Sequence, residues 1–253
     1  MHFVCYRNWS ELPRNADKLF ELNSKQSIFF SRPWLENLSH TGLEPGQTML
    51  LAGVSENDEL LALLPLSEDN TGQLTPLTNL YTSLYTILLH DQQQEVIINC
   101  LIDGLEDQLA LYTLQFSPAD EDDANLIMLK HCLEKRDYRT HQNFRFYNWI
   151  HRTHGQSFSD YFASRPGKVR NTITRKQRKL NREQDVNIQL YIDQNIDQGL
   201  QDFRSVYQAS WKAKELYDDF ISGLATTLAA TGWLRLGVLY INGQPAAAQF
   251  WFV

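Results

Sequence analysis

The sequence predicts an α/β protein, an α+β arrangement built around a mixed sheet, and three observations lead there. Short β-branched and aromatic runs alternate with segments whose apolar residues recur every three or four positions. Two pairs of apolar runs flank tight polar turns, SENDE at 55–59 and Asn242-Gly243. An early order of elements (strand, helix, helix, hairpin) also returns late in the chain at nearly equal spacing.

In chain order, HFVCY (2–6) reads as a short strand. Residues 9–22 and 32–40 read as helices, the second with Ser31 as N-cap and Pro33 in its first turn. Residues 48–54 and 59–66 form a hairpin, and 74–77 and 84–89 are further strand material around NLYTS. A helix over 93–106 carries Val96, Ile97, Cys100, Leu101 and Leu105 on one face. A strand at 109–116, a helix at 124–135 and a long aromatic-rich strand at 138–150 follow. The acidic run 120–123 suits the N-terminus of the helix it precedes.

The stretch 165–182 then carries eight basic residues and no acid. Nothing breaks a helix between Gly167 and Asn187. At about 100° per residue, Val169, Ile173 and Leu180 share a narrow stripe, with Lys168, Arg175, Arg178, Lys179 and Arg182 on the opposite flank and back. The stripe is expected to dock and the cations to meet anions, although such a run is as often a solvated face. Lys176 falls on the stripe and is expected to snorkel outward. Beyond it, VNIQLYI (186–192) is a strand and 196–212 a helix bearing Leu200, Phe203, Tyr207 and Trp211. A second helix at 218–230 closes at Gly232, and a hairpin turns at Asn242-Gly243.

Composition narrows the function. The chain has 253 residues, 43% of them hydrophobic, which allows one large or two small domains with a real core. Three scattered cysteines, Cys5, Cys100 and Cys132, have no metal or redox spacing and read as free thiols. No apolar run reaches membrane-span length and no signal sequence is recognisable, so a cytoplasmic location is expected. A net charge of −7 disfavours broad nucleic-acid binding and makes the basic helix a local feature suited to one small or phosphorylated anion. His151 and His154 in HRTH lack a further ligand at metal spacing, and no G-x-S-x-G, H-E-x-x-H or P-loop occurs.

The chain stops within AAQFWFV, and an open apolar strand end is uncommon, so a fragment is expected. FFSRPWLENL (29–38), LTNLYTSLY (77–85), VRNTITRKQRKL (169–180), YQASWK (207–212) and GWLRLGVLYINGQPAAAQF (232–250), in that order and spacing, resemble the double-module acyltransferases of the GNAT superfamily. These include the Fem-type aminoacyltransferases and the acetyltransferase-like proteins associated with cellulose biosynthesis. The resemblance implies tandem GNAT-like modules: one over 1–155, a basic linker helix over 156–185, and the N-terminal half of a second over 186–253.

It further implies transfer of an acetyl or aminoacyl group to an amine of a sugar or peptide acceptor. Acetyl-CoA or another acyl-CoA would be the donor, with tRNA a partner only for an aminoacyl donor; no metal and no DNA are implied. The acceptor would lie between modules, gripped by Arg170, Arg175 and Arg178, whose planar forks suit phosphate or carboxylate. Asn79, Tyr81 and Tyr85 would line the other wall and Trp34 the floor. Trp211 is a further candidate, although it and the tyrosines are more simply read as packing residues, and Trp34 suits packing as well as it suits the cleft. The pyrophosphate-binding turn of the superfamily has no glycine in its counterpart here, 84–95, and no general base is identified. The competing expectation is a noncatalytic pair that captures a phosphorylated saccharide or a protein.

Overall fold

A computed structural model describes all residues, Met1–Val253. The fold is α+β and every strand pairing is antiparallel. The chain divides into two compact units. The first comprises 1–144 and 217–227, the second 145–216 and 228–253.

In the first unit, β1 (His2–Tyr6) leads to a 3-10 turn at Trp9–Glu11 and then to α1 (Asp17–Ser24). The single helix expected over 9–22 is split because Pro13 cannot donate a backbone hydrogen bond. Asn8 and Glu11 close a capping box around the turn instead. α2 (Arg32–Thr41) starts where expected, with the Ser31 hydroxyl accepting from the Trp34 amide. β2 (Thr48–Glu56) and β3 (Glu59–Glu68) form a hairpin whose turn residues, Asn57 and Asp58, both have positive φ (50° and 61°). β4 (Leu74–Pro76) and the two-residue β5 (Leu88–Leu89) both pair with β3.

α3 (Gln94–Leu109) extends past its expected end, and α4 (Ala124–Glu134) is capped by the Asp123 carboxylate accepting from the Leu126 amide. Residues 110–116 and 138–150, expected as strands, form none. Their composition favours extended chain, but no neighbouring strand supplies a ladder, and β propensity without a partner does not make a strand.

Nearly all of β2 and β3 is buried, so both faces of this sheet are covered. On one face α3 and α4 pack over Leu50, Ala52, Val54 and Leu64. Gly104 of α3 sits so close to Phe3 that a Cβ there would lie 1.9 Å from the ring.

The second unit begins with residues 145–157 and α5 (Phe158–Ser164); the single linker helix expected over 156–185 is broken at Arg165 and Pro166, both of extended ψ. α6 (Gly167–Glu183) is the basic helix. β6 (Val186–Tyr191) and α7 (Ile196–Gln208) follow. α7 stops four residues short of expectation: the Ser210 hydroxyl takes the Tyr207 carbonyl at 2.6 Å and accepts from the Lys212 amide, diverting the helical ladder. α8 (Asp218–Ala230) ends at Gly232, φ 76°, with the Trp233 amide reaching back to Leu228. Its residues through Thr227 pack in the first unit and the remainder belong to the second. β7 (Leu234–Ile241) and β8 (Gln244–Phe252) turn at Asn242 and Gly243, φ 52° and 76°, as their sequence dictates.

The two sheets share a topology. β1-β2-β3 and β6-β7-β8 have the same order, with two helices between the first strand and the hairpin. A side-chain device repeats with them. Tyr6 ends β1, pairs with Leu51, and its hydroxyl meets Ser55 at 2.8 Å, four residues further along β2. Tyr191 ends β6, pairs with Leu236, and its hydroxyl meets that of Tyr240 at 2.7 Å, again four residues along.

Candidate functional site

α6 is the most strongly charged element of the second unit. Asn171, Thr174, Arg175, Arg178, Lys179 and Arg182 fall at spacings of three and four and line one open surface of the helix. Lys179 and Arg182 approach Glu183 at 3.9 and 2.8 Å, whereas Arg175 and Arg178 form no ion pair. Their guanidinium groups point into solvent and can accept an anion without first breaking a bridge. Arg170 stands apart from this surface, donating from Nε to the Arg165 carbonyl at 3.1 Å. The structure thus brings two of the three expected arginines together. It adds Asn171 and Thr174, neutral donors that the charge count overlooked but the same helical period would have found.

The expected docking of the apolar stripe does not occur. No residue of α6 is buried, and Val169 and Ile173 are 43% and 47% exposed. The helix is tied instead at its C-terminal end, where Asn242 binds Gln184 and the Asp185 amide. Lys176 is exposed, as expected of a cation on the stripe.

The remaining candidates separate. Trp34 is 1% exposed and packs edge-on against Phe29 and Phe220, with centroids at 4.6 and 5.4 Å. It is core of the first unit. Tyr85 is also buried, its hydroxyl donating to the Pro65 carbonyl at 2.5 Å, and burial pushes its phenol well above the usual range. Tyr81 is half-buried and stacks on Phe220 at 5.7 Å. Asn79 shapes its own turn, accepting from the Tyr81 amide at 3.0 Å while its backbone amide bonds the Thr82 hydroxyl at 3.2 Å. Trp211 lies past the end of α7 and is 93% exposed. His151 packs against Tyr161 at 5.1 Å, and no cluster of His, Cys, Asp or Glu is placed to hold a metal ion. Of the three thiols only Cys132 is buried; Cys5 and Cys100 are partly so, and all are unpaired.

A polar cluster in the second unit escaped the sequence reading. Tyr240 donates to Asp202 at 2.5 Å while sharing its hydrogen bond with Tyr191, and Gln198 reaches the same carboxylate oxygen at 3.1 Å. Burial, reinforced by the Asp202 hydrogen bond, pushes the Tyr240 phenol far up. The cluster ties α7 to β6 and β7. Its residues come from three elements with no motif spacing.

In the superfamily the pyrophosphate of coenzyme A sits at the helix start that corresponds to the one after β5. There His90–Gln93 lead into α3, Gln93 has φ 52°, and Glu95 occupies the first turn, 2.6 Å from Lys135. Asp91 is beside it. A diphosphate at these amides would meet two carboxylates and side chains where the superfamily has bare backbone. The start of α3 therefore does not fit the pyrophosphate of the donor.

No helix is long and apolar enough to cross a membrane. Comparison with curated proteins and with solved structures finds no match. Residues 167–253, which run from α6 through β8, match the family model described as the acetyltransferase (GNAT) domain, a superfamily that acylates small-molecule acceptors and typically uses acetyl-CoA.

Proposed function

We propose that the protein is a GNAT-type N-acyltransferase of the double-module kind, passing an acetyl or aminoacyl group to an amine of an anionic sugar or peptide acceptor. The match of 167–253 to the GNAT domain carries this reading. The repeated strand order and the repeated tyrosine device support a tandem arrangement. Arg175 and Arg178 would hold a phosphate or carboxylate of the acceptor, with Asn171 and Thr174 as neutral donors. Arg170, bonded to the Arg165 carbonyl, would orient the first turn of the helix.

The test incubates the protein with acetyl-CoA and a panel of amino sugars and peptides, and follows free coenzyme A by chromatography. Acceptor-dependent release is expected, and Arg175→Glu/Arg178→Glu should raise the acceptor KM at least about tenfold, the loss of one charge-assisted pair. No release with any acetyl or longer acyl donor would overturn the acyl-CoA reading.

A second reading has its own support. The glycine-free, carboxylate-bearing start of α3 favours a noncatalytic pair that captures a phosphorylated saccharide through the same arginines. Calorimetric binding of a sugar phosphate without acyl transfer would establish it.

A further inference from the structure

We infer that the second unit carries a surface for the face of an anionic lipid bilayer, formed by α6 and the chain just before it. The inference goes beyond acyl transfer and does not depend on it. Between Arg165 and Arg182 there are eight cations and no acid, within a unit bearing 14 basic and 7 acidic residues; the first unit has 9 basic and 23 acidic. A negatively charged surface would therefore be attracted to one unit and repelled by the other.

Charge alone would suit any polyanion. The apolar groups decide between them. Val169 and Ile173 are exposed along one stripe of α6, Lys176 falls on that stripe, and Lys168 stands on the flank about 100° from Val169, from where its long stem can reach round. Upstream, Trp149 is 98% exposed, and Ile150 and the Phe158 ring are largely exposed too. On a nucleic acid the rings could stack on bases, but the Val169–Ile173 stripe would stay wet, and a net charge of −7 disfavours a long polyanion. On the carboxylate surface of a second copy the cations would form exposed ion pairs, which contribute weakly. A bilayer accepts both kinds of group: acyl chains take the stripe and the aromatic rings, and headgroup phosphates take the lysines. Helix α6 would lie along the surface rather than across it, in keeping with its 17 residues and polar back. Arg175 and Arg178, on the far side of the helix from Val169 and Ile173, would still face water.

The test is cosedimentation of the full chain with vesicles of phosphatidylcholine and phosphatidylglycerol in equal parts, against vesicles of phosphatidylcholine alone, at low and high salt. Binding to the anionic vesicles, weakened by salt and at least about tenfold poorer on the neutral ones, is expected. Lys168→Glu/Lys176→Glu should lower partitioning about tenfold or more. Ile173→Asp and Trp149→Ser should each lower it several-fold, with circular dichroism unchanged because all these side chains are exposed.

Absence of binding to anionic vesicles overturns the inference. So does binding that the lysine variant abolishes but the two apolar variants leave intact, which would mark a general polyanion face such as one for RNA. A concentration-dependent dimer that Lys168→Glu/Lys176→Glu dissolves, with no vesicle binding, would assign the surface to a second copy instead.

Discussion

The two sheets have one strand order and very different surroundings. In the first unit β2 and β3 are buried along almost their whole length, between α3 and α4 on one face and the earlier helices on the other. In the second unit only one face is covered. α7 packs there, with Gly199 against Tyr191 and Phe203 edge-on to Phe250 at 6.1 Å. The opposite face shows Ile188 at 73% exposure, with Leu190 and Trp251 also exposed. Hairpin turns and strand alternation are enough to specify the shared topology; what differs is the amount of apolar surface removed from water, and stability should follow that difference.

Tryptophan truncation should give the largest contrast. Trp34→Ala, in the first core, should cost about 3–5 kcal/mol, whereas Trp211→Ala in the second unit should stay within about 0.5 kcal/mol. Urea unfolding followed by circular dichroism checks both. A comparable loss at Trp211 would mean that its side chain is not the solvent-exposed group described above.

Three glycines grade the same comparison. Gly104→Ala would force a Cβ to within 1.9 Å of the Phe3 ring beside its own Cβ, with no flexible end to yield, and should cost about 3 kcal/mol. Gly199→Ala meets Tyr191 at 2.7 Å and should cost about 1–2 kcal/mol. Gly237→Ala, which meets nothing within 4 Å on the uncovered face, should be neutral or stabilise by up to about 1 kcal/mol. A reversal of that order in thermal melts would break the contrast between covered and open faces.

The repeated tyrosines sharpen it further. Tyr6→Phe and Tyr191→Phe each remove one hydrogen bond and should cost about 1 kcal/mol, and equal losses would mark the device as equivalent in both units.

Dependence on pH should be smaller and should run in opposite directions for a raised phenol and lowered carboxyls. The Tyr240 phenol is raised, so its contribution is complete below the ordinary value of 10.0 and is lost as pH rises from there towards the folded value. In the first unit the Asp69 carboxyl is lowered, first by the Thr71 hydroxyl, and Glu95 is lowered by Lys135. Those contributions are present above the usual carboxylate range and are lost as pH falls through the lowered values. Melting curves at alkaline and acid pH, with Tyr240→Phe and Asp69→Asn as controls, check both directions.

Much of this architecture was legible in the residues. Asn242-Gly243 and Asn57-Asp58 define their hairpins because both central residues tolerate positive φ, and Ser31 announces α2 by its capping hydroxyl. Local chemistry of that kind survives any tertiary setting. The false strands at 109–116 and 138–150 failed because a strand needs a partner, and pairing is not written in one segment. The candidate site was read with the same mixed result. Periodicity placed Arg175 and Arg178 on one helix face, yet Trp34 and Tyr85 turned out to be core, since aromatic residues look alike in sequence whether they floor a pocket or fill an interior. The Tyr191–Tyr240–Asp202 cluster was invisible because three elements contribute one residue each.

The segment Tyr217–Thr227 has a consequence for how the chain is made. Phe220 lies between Trp34 and Tyr81 in the first core, and its carbonyl accepts from Asn37, 183 positions earlier. A ribosome releasing residues in order will have extruded the early sheet and the whole basic region before this plug arrives. Until then the nascent first unit must wait with its aromatic socket unfilled, vulnerable to chaperones and proteases alike, and closure of so long a loop should set the pace of its maturation.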